Sequence, residues 1–86
     1  MLNSDFLHSQ SEEFAKRLKA QAPDNQDHQI QIAYRLALAR EPSADEIARA
    51  KKLIEDLQSK HNLSADKALA FFCLFVYNLN EFSYID

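Results

Sequence analysis

The stretch Ala68–Tyr77 reads ALAFFCLFVY, ten apolar residues with no charge among them. Its reading decides the fold class, because a short apolar run serves equally well as a buried strand or as part of a buried helix. Three features make it helix. Ser64-Ala65-Asp66 just upstream is N-cap chemistry. The segment runs on to about Asn80, long for a strand. Nothing else in the chain has the character of a partner strand. A membrane-crossing helix needs about 20 apolar residues, so the run belongs to a core and no membrane insertion is expected. With no polar side, this fourth helix (about 64–80) is expected at the centre of the domain, contacted all round. Its aromatic residues Phe71, Phe72, Phe75 and Tyr77 are expected in the core rather than on an exposed platform for stacking bases.

Working back toward the N-terminus, Ser43-Ala44-Asp45-Glu46 is a capping box and starts a third helix over about 43–61. Ile47, Ala50, Leu53, Ile54 and Leu57 share its inner face. Asn62 is suited to the left-handed residue that ends it. The second helix, about 27–40, carries Ile30, Ala33, Tyr34, Ala37 and Leu38 at helical spacing. Ile32, Leu36 and Ala39 widen that stripe toward a second neighbour. Arg40 then falls in the last turn, where a cation favours the helix dipole by about 0.3–1 kcal/mol, and Pro42 closes the segment. The first helix, about 4–21, has Leu7, Phe14, Leu18 and Ala22 on one line, with Glu12–Lys16 and Glu13–Arg17 as i,i+4 pairs. Pro23 ends it.

The expected architecture is therefore all-α: a compact four-helix domain spanning 1–86. After Asn80 come Phe82, Tyr84 and Ile85, too apolar for a solvated end. A short tail folding back, with Phe82 and Tyr84 against the first two helices, is the expectation.

Composition narrows the function mainly by exclusion. Ten Lys and Arg against thirteen Asp and Glu leave a net charge of −3, which argues against nucleic acid as a partner. The chain contains no glycine, which removes phosphate-cradling loops, the dinucleotide fingerprint and the nucleophile elbow. The single cysteine, Cys73, excludes an internal disulfide and lies within the most apolar stretch, where a thiol acts as a small hydrophobe. His8 and Glu12 lie one turn apart, but two ligands without a third make a poor metal site. Arg49, Lys51 and Lys52 alternate with Asp45, Glu55 and Asp56, the pattern of a solvated, internally paired face. Glu81 and Asp86 beside an apolar helix are read as capping and ion-pairing groups. No catalytic, cofactor-binding or metal-binding residue is assigned. The N-terminus has neither the basic nor the apolar region of a signal peptide.

Three blocks taken together, LNSDF (Leu2–Phe6), AYRLALAREPSADE (Ala33–Glu46) and NLNEFSYID (Asn78–Asp86), resemble the C-terminal helical region of a planctomycete family of large exported proteins. This region is a planctomycete surface-type domain of unknown function, and members often carry a cytochrome-c-like domain near the N-terminus. The resemblance covers essentially the whole chain. It implies the end of a longer protein, with the export signal and the cytochrome-like part upstream and no catalytic residue to carry over. The family pattern has glycine where this chain has Ala39. Alanine there implies that the second helix simply continues through position 39.

Three functions follow as expectations. The first is a non-catalytic module that packs on, or assembles with, the rest of an exported multidomain protein. The second is a stand-alone helical protein–protein interaction module. The third is part of an interdomain active site in which Glu81, Asp86 or Asp5 completes a pocket of the upstream chain. A contiguous apolar surface patch would favour docking. A deep polar pocket with displaced carboxylates would favour an enzyme.

Overall fold

The joint at Arg40–Glu46 turns the chain between its two middle helices. The computed structural model describes the backbone of residues 4–85 and the side chains of residues 8–79. Its elements are α1 (Ser4–Gln21), α2 (Gln26–Leu38), α3 (Ala44–His61) and α4 (Ala65–Ile85), an all-α four-helix domain. The radius of gyration is 12.3 Å, close to the ~12 Å expected of a compact chain this long.

Helices α2, α3 and α4 each start where a side chain takes over an orphaned backbone amide. Asn25 Oδ1 accepts from the His28 amide at 3.0 Å, so α2 begins one residue before the expected Asp27. Ser43 Oγ accepts from the Glu46 amide at 3.1 Å, and the Glu46 carboxylate accepts from the Ser43 amide at 2.9 Å. The expected capping box is complete. Ser64 Oγ does the same for Lys67 at the head of α4. At the end of α3, Asn62 adopts the left-handed conformation (φ 57°, ψ 27°), and the Leu63 amide donates back to the Leu57 carbonyl at 3.1 Å.

Two expected boundaries are corrected. Helix α2 does not continue through position 39: it stops at Leu38, and Ala39 is a left-handed cap with φ 56° and ψ 34°. Continuing the helix into Pro42 would drive the proline ring against the Leu38 carbonyl. One residue must therefore turn the chain first, and Ala39 does so without the freedom of glycine. Helix α4, in turn, does not end at Asn80 and fold back but continues to Ile85. No proline or glycine follows Asn80, so the backbone ladder runs on. The side chains of Phe82 and Tyr84 lie outside the described residues.

Helix α4 packs on α1, α2 and α3, whereas the backbones of α1 and α3 do not come within 8 Å of one another among the described residues. Phe72, Cys73, Val76 and Ala68 of α4 are fully buried against Leu18, Ile30 and Ala33. Tyr34 and Phe72 rings sit 6.4 Å apart, and Phe14 packs on Tyr77 at 5.3 Å. The central position expected for α4 holds. The expectation that it is contacted all round does not, because Phe71 and Phe75 are 46% and 41% exposed. Three neighbouring helices leave one side of the fourth uncovered. Leu36, expected to face a second neighbour, is likewise 52% exposed.

Candidate functional site

The uncovered line of α4 runs Lys67, Phe71, Phe75, Asn78, residues three and four apart that share one face. Beside it, α1 and α4 enclose a groove of about 710 Å³. Small side chains, Ser11 and Ala15 of α1 and Ala70 of α4, form part of its lining, with Leu63, Leu74 and Phe71 as apolar walls. The Lys19–Asp66 ion pair bridges the two helices. His8 and Glu12 both line this groove from α1. Among the described residues, no three His, Cys, Asp or Glu side chains gather as a metal-ligand set. A second groove, about 630 Å³, lies where Phe14, Leu36, Ala37 and Tyr77 meet under Gln10 and Arg17.

A different cluster sits at the α2–α3 joint. The Arg40 guanidinium lies over the Tyr34 ring, 5.4 Å from its centroid. It donates from both terminal nitrogens to the two Glu46 oxygens, each at 2.8 Å. Arg40, and after it the Ser43 amide, hold the Glu46 carboxyl down at about 2. Burial, and after it the nearby Glu46 charge, push the Tyr34 hydroxyl up. Arg40 is thus not in the last turn of α2, as expected, but beyond it, where it clamps α3. Arg35 pairs with Glu41 on the same turn. Glu46 lines neither groove. The fork from Arg40 and the bond from the Ser43 amide engage both Glu46 oxygens, and together they fasten α3 to the turn before it.

A family model described as PSD1, a protein of unknown function (DUF1553), matches residues 1–54. The chain belongs to the PSD1 family. No curated protein and no solved structure matches it. The PSD1 match takes in α1, α2 and the first part of α3, and with them Tyr34, Arg40, Ser43 and Glu46. Phe71 and Phe75 lie beyond the matched span.

The remaining sequence-derived candidates have structural places. Cys73 is fully buried, and burial pushes its thiol up to about 12, far from a nucleophile. Lys52 pairs with Asp56 one turn on, as the alternating charges suggest, and Lys60 joins the same carboxylate. Lys51 instead reaches across to Asp27 of α2. On α1, Lys16 pairs with Glu13 rather than Glu12. The side chains of Asp5, Glu81 and Asp86 lie outside the described residues. Sequence reasoning missed the exposure of Phe71 and Phe75, although a signal was present. Lys67 and Asn78 stand on the same line, and polar residues at both ends of an apolar line mark a wet face.

Proposed function

We propose that this PSD1 chain is a non-catalytic helical module that packs on the rest of an exported multidomain protein through the Phe71–Phe75 face of α4. The observation that carries this reading is the pair of exposed phenylalanines one turn apart beside an apolar-walled groove. Single exposed apolar residues are ordinary, whereas a contiguous aromatic face is the mark of a surface that another surface covers. Export, and an upstream remainder with a cytochrome-like part, come from the resemblance of the Leu2–Phe6, Ala33–Glu46 and Asn78–Asp86 blocks. The non-catalytic reading draws support from Cys73, sealed in the core, and from Glu46, committed to Arg40 and Ser43.

Hydroxyl-radical footprinting tests the proposal, because it reads side-chain exposure directly. It compares this chain alone with the longer polypeptide of its reading frame. Phe71 and Phe75 should be oxidised readily in the chain alone and protected in the longer polypeptide. Equal labelling in both would overturn the docking reading.

A further inference from the structure

We draw no further inference here: the strongest candidate, the apolar-walled groove between α1 and α4 beside Phe71, is rimmed by exposed charges of both signs that pair with one another, and nothing in the structure shows what covers it.

Discussion

Arg40 grips Glu46 through two parallel N–H···O contacts of 2.8 Å while Glu46 also closes the capping box of α3. One carboxylate therefore fastens the start of the α2–α3 turn to the start of α3. Arg40 is half exposed and Glu46 mostly covered, so solvent screens the pair only in part. Arg40→Ala should cost about 1–2 kcal/mol in a urea melt, and Arg40→Lys a good part of that, since lysine cannot reproduce the fork.

The same pair predicts an acid limb. The folded Glu46 carboxyl lies at about 2, below its ordinary 4.5. A depressed carboxylate contributes stability that is fully present above its unfolded pKa and is lost as pH falls through the folded one. Stability should therefore drop between about pH 4.5 and 2. Arg40→Ala should flatten that limb. A limb of unchanged slope in the variant would place the acid sensitivity at other carboxylates.

Ala39→Gly should stabilise the domain. A left-handed residue with a Cβ costs about 1–2 kcal/mol, and glycine gives back part of that relief through the unfolded chain's entropy. The net gain should be about 0.5–1 kcal/mol, read as a melting temperature a few degrees higher. A lower melting temperature would show that Ala39 is not strained.

Ser43→Ala should cost about 0.5–2 kcal/mol and Ser43→Gly only a few tenths. The hydroxyl accepts from the Glu46 amide, whereas the Glu46 carboxylate bonds the backbone at position 43 whatever its side chain. Chemical denaturation of each variant against the parent chain measures the hydroxyl's share, since both keep the backbone bond to Glu46. Midpoints equal to the parent's in both variants would mean that the hydroxyl contributes nothing beyond the fork.

Phe72 and its neighbours on α4 should part company under mutation. Phe72→Ala removes a fully buried ring and should cost about 3–5 kcal/mol. Phe71→Ser with Phe75→Ser, at half-exposed positions, should change the stability of the chain alone by about 1 kcal/mol or less. A large loss from the double substitution would make this face part of the domain's own core and remove the basis for docking.

What the sequence determined by itself is what short-range chemistry controls. The capping box at Ser43–Glu46 and the left-handed Asn62 involve groups within a few residues of each other, so spacing alone places them. The helical inner faces, from Leu18 and Ile30 to Ile54 and Phe72, follow from the 3.6-residue period in the same way. Three matters were decided only by tertiary structure. Arg40 reads locally as a last-turn cation, and becomes a clamp because the turn brings α3 back to it. Ala39 reads as a good helix former and takes a left-handed geometry because the chain must turn before Pro42. Phe71 and Phe75 read as core because an apolar run does not reveal how many neighbours it will meet. Their exposure follows from the packing: among the described residues α1, α2 and α3 cover the other sides of α4, and which side is left over is a property of the assembled whole.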